Sequence, residues 1–475
     1  MQPDPGRFRE ESRAALADGA LRRNLHNAMH TIRNRRSERF AELIDGEGLQ
    51  WIGNAIKQRA LADLPALLER LEAQLGARGV QVHWAETPAQ ANAIVLEIAR
   101  RRGVELVVKG KSMVSEETGL NAFLAGHGIQ AVEADLGEFI VQIAGQTPSH
   151  IVVPAVHMSR QEIATLFHEM LGEPYTDDVA ALTALARRVL REKFQQAGMG
   201  VTGVNFAVAE TGTLALVENE GNGRMVTTVP PVHVALMGLE KVVPRLADLA
   251  PLVRLLTRSA TGQPITTYFN WLSSPRRPGE LDGPEEVHLI LLDNGRSAIY
   301  SDGELRETLD CIRCGACLNI CPVYSRIGGH AYGSVYMGPI GKILTPQMAG
   351  LAAGGHLAGA STLCGACYEV CPVKIPIPNL LLRLRQEGSQ PSAAGRQLLR
   401  GAGSKRTFGE AMVWKGWQVL HSRPAAYRAL TRLAALAGRR LPERLGPLKA
   451  WTREREKPVP ARRTLHELMK DRPGE

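Results

Sequence analysis

No run of about 18 apolar residues, the length a membrane-spanning helix needs, occurs anywhere in the 475-residue sequence. The opening stretch, MQPDPGRFREESRAALADGALRRNL, has charges throughout and lacks the apolar centre of a signal peptide. Both absences predict a cytoplasmic protein. Cysteine is absent before Cys311 and after Cys371, and all seven fall into two tight groups. A disulfide framework would spread its cysteines and would suit a small secreted chain, so a metal role is expected instead. No G-x-G-x-x-G opens a helix after a strand, and no Walker loop or H-E-x-x-H is present. The sequence therefore carries no nicotinamide, nucleotide or zinc-hydrolase signature. Nor is there an internal repeat of roughly 20 to 50 residues, which argues against a solenoid or propeller.

What remains is the balance of a globular protein, 44% hydrophobic and 22% charged, with room for about three domains. The charge is unevenly placed. Residues 401–475 carry 17 Lys and Arg against 7 Asp and Glu, a net of +10, whereas the whole chain is +9, so the first 400 residues are nearly neutral. Such a tail can meet lipid, nucleic acid or an acidic partner, or simply be a solvated helix face. No nucleic-acid partner is expected. With Trp414, Trp417 and Trp451 set among arginines, the tail is read as a docking surface for partner proteins.

Along the chain, Leu21, Leu25 and Met29 recur every four residues in a helical N-terminal arm (1–60), with RNRR on the polar side. Residues 61–300 read as an α/β layered domain. Asp63 and Pro65 start a helix striped by Leu64, Leu68, Leu71 and Leu75; VQVHW is a strand; Thr87-Pro88 opens another helix; ELVVKG is a buried strand. SHIVVPAVH is expected to be a further strand, and Ser159 with Glu162 makes a capping box. GVNFAVAETGTLALVENEG gives two β-rich runs about Thr211-Gly212, and EEVHLILLDNG gives a last strand. Residues 301–385 hold the cysteines and 386–475 form a basic helical C-terminal region.

CIRCGACLNICP fits C-x2-C-x2-C-x3-C-P with Cys311, Cys314, Cys317, Cys321 and Pro322. Three thiolates at this spacing wrap one face of an iron-sulfur cube, and the fourth points to a second cluster. The second group, STLCGACYEVCP, supplies Cys364, Cys367 and Cys371, but Ser361 stands where a first cysteine would be. The crossover gives cluster one Cys311, Cys314, Cys317 and Cys371, and cluster two Cys321, Cys364 and Cys367. Two clusters of the 4Fe-4S kind are expected. The second is either a three-iron cluster or has one iron bound by a hydroxyl, a water, a partner's ligand or a residue from elsewhere, such as the spacer around His330 to Tyr336. Zinc could use some C-x-x-C pairs, yet four cysteines packed this closely and followed by Pro, then a second such group, are poor zinc geometry, and a second group that binds nothing would leave Cys321 unused. Paired clusters of this kind relay single electrons, so the two-electron site is expected on another polypeptide.

In the α/β segment, Lys109, Lys111 and Ser112 follow a strand end, where such sheets bind ligands. Gly221, Gly223 and Arg224 in ENEGNGR can hold an anion such as a small carboxylate. The plainer reading makes KGKS a surface turn and EGNG a loop needing positive φ. Glu116, Glu117, Glu210 and His233 are either acid-base groups or capping and solvated residues, and no catalytic residue is assigned.

Together, VVKGKSMVSEETGLN, EADLGEFIVQIAGQTPSHIVVPAVH, GVNFAVAETGTLALVENEGNGRMVTTVPPVHVALMGLEKVVP and the two cysteine groups resemble the lactate utilization protein B family over nearly the whole chain. The resemblance implies a LUD domain similar to the sugar-isomerase and CoA-transferase fold, a ferredoxin-type module and a family-specific C-terminal region. It implies electron transport in the oxidation of L-lactate to pyruvate together with other subunits of that system, and Ser361 is compatible with the family's seven-cysteine arrangement. The competing expectation is a LUD-domain enzyme acting on a small carboxylate or CoA-like substrate, with structural or regulatory clusters.

Overall fold

Val287, Leu289 and Leu291 alternate with Ile290 and Leu292 along a single strand, and the two sets enter different hydrophobic cores. A strand that is apolar on both faces belongs inside a parallel sheet covered on both sides. The computed structural model, which describes residues 3–389, 408–438, 456–470 apart from 458, and the isolated positions 392, 395, 399 and 452, contains that sheet. Its strands are β1 (Gln81–Ala85), β2 (Leu106–Lys109), β3 (Gln130–Glu133), β4 (Met199–Gly203), β7 (Val232–Gly238) and β10 (Glu286–Leu292), in the order β1-β10-β7-β4-β2-β3 and all parallel. The helix Leu64–Gly76 lays its leucine stripe on one face, and the helix Pro88–Arg101, opened by a Thr87–Gln90 capping box, covers the other.

A second sheet, ordered β8-β5-β6-β9, comprises β5 (Phe206–Val208), β6 (Thr213–Glu218), β8 (Val242–Val243) and β9 (Tyr268–Leu272). The chain runs from β4 into β5 through Val204 and Asn205, and from β7 into β8 through the 3-10 turn Leu239–Lys241. The two sheets are thus joined at the carboxyl ends of β4 and β7. The order also reverses there: β2 connects outward to β3, whereas its neighbour β4 connects the other way to β7. Open parallel sheets bind ligands at such a switch point.

The expected strand SHIVVPAVH is not one: residues 149–157 form turns and bends. His150 explains the difference. Its Nδ1 accepts hydrogen bonds from the amides of Val152 (3.0 Å) and Val153 (3.2 Å), Ser149 N donates to Pro154 O, and Pro154 has no N–H to give a ladder. The side chain thus closes a local turn that competes with strand pairing. Nε2 of His150 reaches Asn319 Oδ1 (3.0 Å) and so ties this turn to the first cysteine group.

The helices Pro5–Ala17 and Gly19–Ala41 do not rest on the sheet that follows them in sequence. They pack against the region of residues 316–359, burying Leu25 and Met29. The helix Gly46–Ala62 reaches the end of the second cysteine group: Gln50 Nε2 donates to Cys371 O (2.9 Å) and Asn54 Nδ2 to Val373 O (2.9 Å). Arg36, placed on a polar face by its RNRR context, is instead partly buried and donates to Val370 O (2.8 Å). Residues 404–475 form a separate compact unit, whose described helices are Phe408–Ser422, Pro424–Ala437 and Leu465–Lys470, with Trp414 and Trp417 exposed. Trp451 lies outside the described residues.

Burial in the sheet has a pH consequence. His233 and His288, on neighbouring strands, are fully buried, and burial, aided by His288, pushes the His233 imidazole down to about 3. Unfolded, the ring titrates near 6.5, so in acid the unfolded chain binds the proton and the folded one does not. His233 therefore adds no pH dependence above about pH 6.5, and stability falls as pH drops from there towards 3, by about 3 kcal/mol at pH 4. Denaturation midpoints measured from pH 8 to pH 4 should show this slope, and His233→Asn should flatten it. An equal slope in the variant would remove His233 from the explanation.

Candidate functional site

The two cysteine groups repeat one local geometry. In the first, Arg313 takes φ +60° and Gly315 φ +75°, and the helix Ala316–Ile320 follows; in the second, Leu363 takes +55° and Gly365 +84°, and the helix Ala366–Glu369 follows. Glycine is required at 315 twice over, since a Cβ there would also stand 3.0 Å from His150 Cε1. The amide of Arg313 donates to Cys311 Sγ (3.4 Å), and that of Leu363 donates to Ser361 Oγ (3.2 Å). Ser361 therefore occupies the place in its loop that Cys311 occupies in the other.

The groups interleave in space. Cys311, Cys314, Cys317 and Cys371 surround one small cavity walled by Ile312, Ile340, Val373 and Ile375. Cys321, just past the helix that carries Cys317, faces a second with Cys364, Cys367 and Ser361. Every cysteine singled out from the sequence is thus in one of two sets, each drawing on both groups. Among the described residues, no three His, Cys, Asp or Glu side chains close on a point where they could hold a single metal ion; the thiols ring cavities. Burial pushes the Cys314 thiol up to about 12 and that of Cys367 up to about 11, and raises Cys317 and Cys371 as well. Exposed Cys364 goes the other way, held down by the amide of Ala366 and by Thr362. Buried thiols of this kind give up their protons to a cationic centre, and amides donating to sulfur, such as Ile375 N to Cys371 (3.3 Å), suit thiolates.

The two spacer residues considered as a fourth ligand stand away from the second set. His330 Nε2 donates to Thr147 O (2.7 Å), and neither it nor Tyr336 lines that cavity. Sequence reasoning missed Lys342, which is 1% exposed and donates from Nζ to Cys321 Sγ (3.5 Å), and Arg36, whose charge lies near Cys314 and Cys371. No spacing rule marks them: Lys342 comes from the helix Gly338–Ala349 between the two cysteine groups, and Arg36 from the N-terminal arm.

In the sheet region, Lys109 is not on a surface turn. It is fully buried, paired with Glu133 (2.7 Å) and Glu116 (2.9 Å), and bonded to Ser115. Lys111 pairs with Asp135 (2.8 Å), and Ser112 caps the helix Met113–Thr118. Glu117 is buried against Arg296 (2.8 Å), with Tyr336 Oη and Asn294 donating to it. Glu210 accepts from Leu246 N as a cap, and His233 bonds Thr202 Oγ1 (2.8 Å). Gly221, with φ +79°, starts a helix of seven residues, Asn222–Thr228, and Arg224 is exposed with no side-chain hydrogen bond among the described residues. The structure brings Lys111, Ser112 and Gly223 to one cavity of about 330 Å³ beyond the carboxyl ends of β2 and β4, without Arg224.

Comparison with known proteins places these parts. Residues 68–292 match the LUD domain, 307–375 the 4Fe-4S dicluster domain, and 383–473 the model described as Lactate utilisation protein B, C-terminal. Proteins named Lactate utilization protein B from Bacillus licheniformis and Bacillus pumilus are each 40% identical, over 98% of this chain and 97% and 98% of theirs. The chain belongs to the lactate utilization protein B family. It is a lactate utilization iron-sulfur protein whose mixed α/β LUD region precedes a 4Fe-4S dicluster domain and further helices. Among the described residues no helix is long and apolar enough to cross a membrane. A crystal structure of a DUF162 family protein from Deinococcus radiodurans aligns with 48% of this chain and 98% of its own at 14% identity, but its TM-score of 0.27 carries no argument.

Proposed function

We propose that this protein is the cytoplasmic electron-transfer subunit of a system that oxidises L-lactate to pyruvate, itself performing no substrate chemistry. The observation that carries the reading is the sorting of seven thiols into two adjoining sets, each drawing on both cysteine groups. Cys311, Cys314, Cys317 and Cys371 would hold a first 4Fe-4S cluster; Cys321, Cys364 and Cys367 would hold a second, with Ser361 turned to its remaining position. A bound cluster accepts and passes on a single electron. The chain's own part is to keep that site dry with Ile312, Ile340 and Ile375, and to set amides and the Lys342 ammonium against sulfur, which favours the reduced state. The proposed division is an arm over 1–60, an α/β domain resembling the sugar-isomerase and CoA-transferase fold over 61–300, the cluster module over 301–385, and a basic tail over 386–475 that docks partner subunits. The test is anaerobic: the clusters should be reduced by L-lactate only when the partner proteins with which the full-length protein copurifies are added. Lactate turnover by the isolated, iron-free chain would refute it.

Ser361 gives a sharper outcome. An iron without a thiolate is the easiest to lose, so air should generate a three-iron EPR signal from the second cluster alone. Ser361→Cys restores the thiolate and should suppress that signal, shifting the second potential while leaving the first. Unchanged conversion in the variant would mean that Ser361 does not face the open iron.

A further inference from the structure

The cavity beyond β2 and β4 lies between the two sheets: its floor is Gly110–Val114 and Thr202–Asn205, and Leu216–Glu218 of β6 form the opposite wall. One end is cationic. Lys241, only 6% exposed, lines it and makes no side-chain hydrogen bond or ion pair among the described residues. Arg313 lines it too: one guanidinium nitrogen bonds Glu240 (3.0 Å), while Nη1 is buried without a partner. In the surrounding network, Lys57, Lys241, Arg296 and Arg313 meet Glu117, Glu240, Asp310 and the sulfur of Cys311. A buried amine left without a partner is costly, and an anion arriving in the cavity would pair with it.

We propose that this cavity binds an organic monocarboxylate, its carboxylate paired with Lys241 at the end flanked by Arg313 and its body lying against Met113, Val152 and Leu256. The remaining cation, Lys111, is already neutralised by Asp135 and also donates to Val152 O. Asp135, Glu218 and Glu220 stand on the same lining, so a second negative group on the ligand would meet like charge. That selects monocarboxylates over dicarboxylates. At about 30 Å³ per liquid water, the volume equals roughly ten waters, enough for a carboxylate and a body of several heavy atoms. Ile151 lines both this cavity and the one ringed by Cys311, so occupancy is expected to be felt at the first cluster. Binding itself does not depend on the electron-transfer reading.

The experiment is calorimetric titration of the anaerobic full-length protein with acetate, L-lactate and hexanoate, and with succinate and choline, at fixed ionic strength. At least one monocarboxylate should bind saturably at one site per chain, succinate about tenfold or more weaker, and choline not at all. Lys241→Met should weaken binding about tenfold or more. Ala260→Phe, which keeps every charge and fills the cavity from its wall, should abolish it, with EPR line shape and melting curve confirming that each variant is folded and loaded. The proposal is overturned by the absence of saturable binding in the parent, by succinate binding as tightly, by retention of binding in Ala260→Phe, or by a Lys241→Met protein whose cluster potential moves while its affinity does not.

Discussion

Cys371→Ala should extinguish the same cluster signal as Cys311→Ala, 60 positions away in sequence, and leave the signal that depends on Cys364. Cys371 is buried and shares its cavity with Cys311, Cys314 and Cys317, while its nearer neighbours Cys364 and Cys367 face the other one with Cys321. The turn after it is pinned from outside the module: Gln50 binds Cys371 O and Asn54 binds Val373 O. Removing one thiolate from a four-thiolate set should cost most of that cluster's iron. Iron content with EPR on the reduced variants measures this, and loss of the Cys364-dependent signal in Cys371→Ala would contradict the crossed assignment.

Glu240→Ala should be among the most destabilising single changes outside the cysteines. Its carboxylate, 1% exposed, bridges Arg296 Nε (2.7 Å) and Arg313 Nη2 (3.0 Å), and its carbonyl accepts from Lys57. Burial alone would raise its pKa, but Arg296 and Arg313 outweigh it and hold the carboxyl down to about 2. Deleting one member of a buried ion pair costs about 3–5 kcal/mol, because the remaining charge stays buried without its partner. Glu240 also anchors Arg313, which lies between Cys311 and Cys314, so iron retention should fall along with the denaturation midpoint. Glu240→Gln keeps the shape and should lose less. A Glu240→Ala protein with an unchanged midpoint would show that water or a shifted side chain replaces the carboxylate.

Periodicity and capping made local structure legible. The leucine stripe from Leu64 to Leu75, the Thr87 and Ser159 caps, and the apolar run ending at Leu292 each follow from neighbours within a few residues. SHIVVPAVH misled because one histidine ring captured two amides that a strand would have paired. The thiols could be sorted by spacing, since iron-sulfur geometry constrains it. The charges around them could not: Arg36, Lys342 and the adjacent Glu240 and Lys241 come from three different elements, and only the fold brings them to the cysteines. Lys109 and Glu117 show the same limit, for a charged residue buried with its partners has the same letter as a solvated one.

The most direct test of the account is an anaerobic redox titration of the full-length protein followed by EPR, with chemical iron and sulfide in parallel. The account predicts two reducible clusters whose signals interact, one lost on changing Cys311 or Cys371 and the other on changing Cys364 or Cys367. A protein holding zinc in place of iron and sulfide, or a single signal lost in all four variants, would contradict it.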